Sequence, residues 1–242
     1  APSASKQWTK CTASLAYIEA NRHRVPEDTG SRYAEEGTKA HDYAAAVLTG
    51  KMAPSEIPDG AESRDPDFPD SDFRTPVTAY VEHCLALVPE GKKPEVEVSV
   101  PLFYQPEQSG TCDFAMVAQD RVVVRDYKHG VGVLVRSEEN TQLAIYTLSL
   151  VRDYDLLYNF GPDTEIDMAV FQPRHHEGAE QAPWVTTLAD LEAFCKDIEY
   201  RAIQARTAVD RVQEKLNCGG RDFTAQEILE AAPGAKFAPG EG

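Results

Sequence analysis

Val122-Val123-Val124-Arg125-Asp126-Tyr127-Lys128-His129-Gly130 is an apolar run that ends in Asp-x-Lys, with a glycine just beyond. Consecutive β-branched residues favour extended backbone, and strand alternation sends side chains two apart to one face. Asp126 and Lys128 should therefore project together from one end of a sheet. A second aspartate, Asp113, stands inside a similar run upstream, Thr111-Cys112-Asp113-Phe114-Ala115-Met116-Val117. A tight turn at Gln119-Asp120 pairs the two segments and brings both carboxylates close. Like charges at such separations need a cation or a shared proton, so the pattern predicts a divalent-metal site.

Outward from this centre the hydrophobic period changes twice. Glu95-Val-Glu-Val-Ser-Val100 alternates strictly and predicts a half-buried strand, which completes a three-stranded meander. Residues 137–153 read as a helix carrying Leu143, Ile145, Tyr146, Leu148 and Leu150, followed by a strand near 166–172. Thr187 is placed to cap a long helix over 187–216, with Leu191, Phe194, Ile198, Ala202, Ala205, Val209 and Val212 on its core face. On the N-terminal side, Ser5 caps a helix over 5–21 that buries Trp8, Cys11, Leu15 and Ile18. A second helix runs from Ser31 to Leu48 and is stopped by Gly50. Its small-residue face of Ala34, Gly37 and Ala44 includes His41. A third helix covers 76–88. The Pro/Asp-rich segment 53–71 reads as a solvated, poorly packed loop, and the tail 233–242 as loose. Neither a repeat nor a linker asks for two domains, so residues 1–242 are read as one. The order implies an α/β (α+β) fold, a central mixed sheet flanked by helices on both faces.

A net charge of -16 opposes a nucleic-acid role, because such binders usually carry a basic footprint. Locally the balance reverses: Arg121, Arg125, Lys128 and Arg136 outnumber Asp120 and Asp126 around the proposed site. The five cysteines are scattered and never form a C-x-x-C pair, which argues against a disulfide framework and a tetrathiolate zinc site and fits a reducing cytoplasm. No apolar run reaches the roughly 20 residues of a membrane span. His175-His176 reads as a solvated turn, and Trp184 as a packing anchor. Arg201, Arg206 and Arg211, five apart on the last helix, read as ordinary surface.

Four motifs in order resemble the PD-(D/E)XK nuclease fold, within it the RecB-like and lambda-exonuclease-like group. Glu36-Gly37-Thr38-Lys39-Ala40-His41 resembles its histidine-bearing helix, and Gly110-Thr111-Cys112-Asp113 its Gly-x-x-Asp strand. Asp126-Tyr127-Lys128 is similar to its Asp-x-Lys centre, and Gln142-x-x-x-Tyr146 to its Gln-x-x-x-Tyr helix. Ser3-Ala4-Ser5 with Trp8 and Cys11 is similar to a phage-associated branch. The resemblance implies DNA as substrate, in phage recombination or DNA processing within a bacterial host cytoplasm. It also implies Gln142 as a member of the site with Tyr146 in support. A ring-shaped homo-oligomer and a phage recombinase or single-strand-binding partner are compatible with it. Some relatives hold an iron–sulfur cluster through one upstream and three compact downstream cysteines; Cys195 and Cys218 are isolated, so no cluster is expected.

The chemistry stands beside the resemblance. Phosphodiester hydrolysis needs an activated water attacking in line and charge taken up from the leaving oxygen. Asp113, Asp126 and the Tyr127 carbonyl are hard oxygen ligands suited to Mg2+ or Mn2+, and the His41 imidazole tolerates Mn2+ better. Lys128 orients or helps deprotonate the water, with a pKa lowered by burial. Glu97 is a further candidate whose direction depends on strand register. The expected activity is thus a Mg2+/Mn2+-dependent deoxyribonuclease, exonuclease before structure-specific endonuclease. The rival is a non-catalytic acidic DNA mimic on the same fold.

Overall fold

The computed structural model describes residues 1–24, 31–176, 182–219, 223–224 and 226–228. The tail from Pro233 and most of the polar turn before Ser31 lie outside the described residues. Six helices and five strands follow one another as α1 (Ser5–Lys10), α2 (Ser14–Ala20), α3 (Arg32–Leu48), α4 (Arg74–Ala86), β1 (Glu95–Leu102), β2 (Gln105–Val117), β3 (Arg121–Tyr127), α5 (Thr141–Tyr158), β4 (Glu165–Phe171), β5 (Trp184–Thr187) and α6 (Leu188–Asn217) among the described residues. The strands form a single sheet in the order β1-β2-β3-β4-β5. β1, β2 and β3 make the expected antiparallel meander, with Gln119-Asp120 at the turn between β2 and β3. α5 then crosses over so that β4 lies parallel to β3, and β5 closes the edge antiparallel to β4. The fold is a mixed α/β arrangement with helices on both faces.

Alternation along β3 explains the two layers. Val122 and Val124 face a core shared with Leu143, Ile145 and Leu148 of α5 and Leu191 and Ile198 of α6. Val123 and Tyr127 face a second core with Ala40, Ala44 and Val47 of α3 and Val77, Tyr80 and Val81 of α4. Each buried valine contributes roughly 1.5–3 kcal/mol, so an apolar strand at the centre is stable only when covered on both sides. A third cluster joins Ala13, Ala16 and Ala20 to Ala208 and Val212 of α6. Among the described residues no helix is long and apolar enough to cross a membrane.

Several expectations need correction. The first helix is broken: Cys11 adopts extended backbone, with φ -134° and ψ 94°, and the chain restarts as α2. The break lets Trp8 join the core under α5 while the α2 alanines pack on α6, and it leaves Ile18 exposed. Ser5 is no cap; it lies inside α1 and its hydroxyl meets Thr141 Oγ1 at 2.7 Å. α5 begins at Thr141 and not at 137, because the Asn140 side chain accepts the Gln142 and Leu143 amides. Ser137 is instead buried and accepts the Val170 N–H. α5 ends only where Asn159 turns left-handed, φ 49°, a conformation asparagine tolerates.

The acidic segment 53–71 is not poorly packed. Ile57 and Phe68 are buried, and Asp59 Oδ1 accepts three backbone N–H groups, from Ala61, Glu62 and Ser63. Asp65, fully buried, accepts from Asp67, Phe68 and the Tyr43 hydroxyl. These aspartates close turns with their side chains, so their charge is part of a folded cap. His175 is buried, contrary to a solvated turn. Trp184 does anchor packing, edge-on to Phe194.

Candidate metal centre

The site sits where β2 and β3 part company. Their ladder runs from Val117 opposite Val122 to Phe114 opposite Arg125 and stops there, while β2 continues alongside β1 alone. Asp113 is the first residue past the split, and its Oδ2 accepts the Tyr127 N–H at 2.8 Å. The carboxylate is thereby held against the peptide that joins Asp126 to Tyr127. Val96 opposes Phe114 and Val98 opposes Cys112 across β1 and β2, which sets Glu97 facing Asp113. Glu97 has φ 49°, a left-handed backbone that costs a non-glycine residue roughly 1–2 kcal/mol. Strain of this kind persists only where surrounding structure imposes it.

α3 supplies the third member. Ser31 accepts the Ala34 N–H and fixes the helix start; Ala40 and Ala44 then seat the helix closely on the sheet. His41 lies between them, its ring edge-on to Tyr127 at 5.4 Å. His41 Nδ1 is 3.5 Å from Asp113 Oδ2 and 3.8 Å from Glu97 Oε1. One ligand atom from each of His41, Glu97 and Asp113 lies within 4.8 Å of the others. Burial disfavours a charged imidazole, but the hydrogen bonds and charges of Asp113 and Glu97, with Asp126 behind them, raise the His41 pKa to about 10. In this state a proton on the ring partly offsets two carboxylates.

Asp126 anchors a second group on the α5 side. Lys128 Nζ lies 3.1 Å from its Oδ1 and 2.8 Å from its Oδ2, and Gln142 Nε2 donates to Oδ1 at 3.0 Å. The Asp126 pKa is raised, through burial first and then the Asp113 charge, against the pull of Lys128. Burial works against the Lys128 ammonium, yet Asp126 outweighs it and the pKa is raised. That corrects the expectation of a lysine tuned down towards a base. One turn along α5 from Gln142, Tyr146 is buried against Gly110 and interacts with the Gln142 side chain. A Cβ at Gly110 would come within 2.6 Å of the Tyr146 ring, which explains why glycine precedes Asp113 in this strand.

The structure therefore brings all the expected side chains to one end of the sheet, in two subsets. His41 and Asp113 converge with Glu97, whose direction sequence alone left open. Asp126 belongs to the Lys128–Gln142 subset and is outside the compact trio. The basic surplus read from the sequence does not reach the site as a whole. Arg125 is buried beneath the sheet, 2.9 Å from Asp167 Oδ1, and Arg121 pairs with Glu165 and Asp167.

The donors fit a hard divalent cation. An imidazole nitrogen and two carboxylates can close around one ion, and such mixed nitrogen and oxygen sets suit Mn2+ and, with waters, Mg2+. Asp126 Oδ2 is buried, with the Lys128 ammonium 2.8 Å away.

A family model described as "Protein of unknown function (DUF2800)" matches residues 1–223. The chain belongs to that family, and the matched span contains every residue of the site.

Proposed function

We propose that this member of the DUF2800 family is a metal-dependent deoxyribonuclease built on a PD-(D/E)XK-type core. What carries the reading is the convergence, at the split between β2 and β3, of the His41–Glu97–Asp113 trio with the Asp126–Lys128–Gln142 group. His41, Glu97 and Asp113 would hold Mn2+ or Mg2+, with Asp126 available as a shared oxygen ligand. Such a cation supplies Lewis-acid stabilisation of the phosphoryl group and acidifies water.

The chain's own groups account for the rest. Lys128, protonated and held by Asp126, offsets the charge of a bound phosphate and orients the nucleophile, because an ammonium donates in three directions. Gln142 fixes the Asp126 carboxylate by donating to Oδ1, while Oδ2 faces the Lys128 ammonium. Tyr146 braces Gln142 from the helix and packs on Gly110, so it is a positioning residue. Asp113 is locked by the Tyr127 amide through Oδ2, the same oxygen that faces His41 Nδ1 beside the Glu97 carboxylate. Preorganised charge of this type acts without reorganising during the reaction.

The test is incubation with end-labelled linear DNA in Mn2+, in Mg2+ and in EDTA. The expected result is nucleotide release in Mn2+ that vanishes with EDTA and in Asp126→Ala. Covalently closed circular DNA should stay intact if ends are required, whereas nicking would identify an endonuclease. No hydrolysis of either DNA form under any metal would refute the assignment.

A further inference from the structure

Beside the metal centre runs a groove of about 610 Å3 whose inner wall is Lys128 and Gln142. Its outer walls are α1 and the segment that leads from Gly130 to α5. α1 contributes Lys6 and Lys10, four apart and therefore on one face. The opposite segment contributes Arg136. These cations and Lys128 outnumber the two carboxylates in the lining, Glu138 and Glu139, in a chain whose net charge is -16. Lys6 and Arg136 are exposed, and no ion pair holds either of them among the described residues. Ser3, Thr9 and Asn140 also line the groove. Val133, 82% exposed, adds an apolar side chain to the same lining.

The groove is a built feature of the fold. The Ser5–Thr141 hydrogen bond ties α1 to the start of α5, buried Trp8 seats the helix, and Arg201 Nη1 donates to the Thr9 carbonyl from α6. The chain breaks at Cys11, so α1 lies along the groove while α2 packs on α6. Cations spaced along a polar groove match the repeating anionic diesters of a polynucleotide backbone.

We propose that this groove holds the sugar–phosphate backbone of the strand that enters the metal centre, with Lys6 and Arg136 as phosphate-positioning residues. The inference rests on the nuclease reading for which bond is cut, but strand binding is separable from cutting. Lys6 and Arg136 touch no reacting atom, so they should govern affinity for a polynucleotide and leave chemistry on a small diester alone.

The experiment compares the full chain with K6Q/R136Q and with the charge-preserving K6R/R136K. Fluorescence anisotropy of a labelled single-stranded 12-mer in Ca2+ reads binding across salt concentrations. Mn2+-dependent hydrolysis of bis(p-nitrophenyl) phosphate reads chemistry on a diester too small to reach the groove. In K6Q/R136Q the dissociation constant should rise about tenfold or more, and the salt slope should shrink by about 1.4, at about 0.7 per lost phosphate contact. K6R/R136K should bind like the parent, and small-diester hydrolysis should be equal in all three. Unchanged affinity and slope in K6Q/R136Q, or no oligonucleotide binding by the parent at low salt, would overturn the groove. Groove-dependent binding without hydrolysis of either substrate would instead uphold the groove and overturn the nuclease reading.

Discussion

Glu97→Gln separates a metal ligand from a structural carboxylate because the two roles predict losses in different quantities. Glu97 and Asp113 present ligand atoms within 4.8 Å of each other. At that spacing two like charges repel by about 1 kcal/mol in water-like surroundings and about 3.5 kcal/mol at an effective dielectric of 20. The Glu97 side chain is 38% exposed, which places the pair nearer the lower figure. His41 returns part of this through its 3.8 Å contact with Glu97. The amide variant loses both terms, so metal-free stability should change by less than about 1 kcal/mol. Mn2+ loses one of three anionic or imidazole donors, and its affinity should fall at least about tenfold, the lower bound set by losses seen for outer-shell partners. Urea denaturation in EDTA measures the first quantity and calorimetric titration with Mn2+ the second. A variant that unfolds several kcal/mol more easily yet binds Mn2+ like the parent would show that Glu97 serves the fold and not an ion.

Three other perturbations probe separate parts of the argument. Lys128→Ala should leave Mn2+ affinity within about threefold and cut DNA turnover by about a hundredfold or more; a large loss of Mn2+ binding in calorimetry would contradict its assignment as a phosphate-facing ammonium. Gly110→Ala should cost about 1–3 kcal/mol in urea denaturation, because the added Cβ meets the Tyr146 ring and Leu102 with little room to shift; unchanged stability would mean that Tyr146 is not packed there. Asp167 has a pKa that burial would raise but that Arg125 and Arg121 bring below the ordinary value. Its folded pKa being the lower one, its stabilisation is complete above the unfolded value of about 3.9 and is lost as pH falls through the folded value. Asp167→Asn should therefore flatten the stability profile below about pH 4 and cost about 3–5 kcal/mol at neutral pH, since Arg125 stays buried with its charge unpaired; a profile parallel to the parent's in urea midpoints from pH 3 to 7 would refute this.

The parts of the fold that could be read from sequence are those governed by local periodicity. The valine run and its partner strand needed only alternation and a two-residue turn, and α6 announced itself through Thr187, which accepts the Asp190 N–H as a cap should. Ser31 and Gly50 marked α3 for the same reason. The expectations that failed involve tertiary partners. Nothing local tells that Cys11 must break the first helix; the reason is that Trp8 and Ala13 belong to different cores. Segment 53–71 has the composition of a solvated loop, yet its aspartates accept backbone amides and its few apolar residues, Ile57 and Phe68, are buried against α3 and α4. β5 is only four residues long, too short for any period to stand out.

The candidate site divides along the same line. Asp126, Lys128, Gln142 and Tyr146 follow from two rules, alternation in a strand and four-residue spacing on a helix, and their contacts agree. Glu97 depends on the register of β1 against β2, a relation between strands that no single strand encodes. The signal available was the two-residue Phe103-Tyr104 connection, which, with an uninterrupted ladder, fixes which residues oppose one another. That ladder shifts between Pro101 and Leu102, so counting back from the turn assigns Glu97 the wrong partner. The sense of Arg125 was hidden similarly. Alternation puts it on the face opposite Asp126, under α4, where only the pairing of β3 with β4 reveals Asp167 as its counter-ion. A charge counted along the chain is thus no guide to the charge at a site. Arg121 and Arg125 are spent in the sheet, whereas Lys6, far away in sequence, lines the groove beside Lys128 and Gln142.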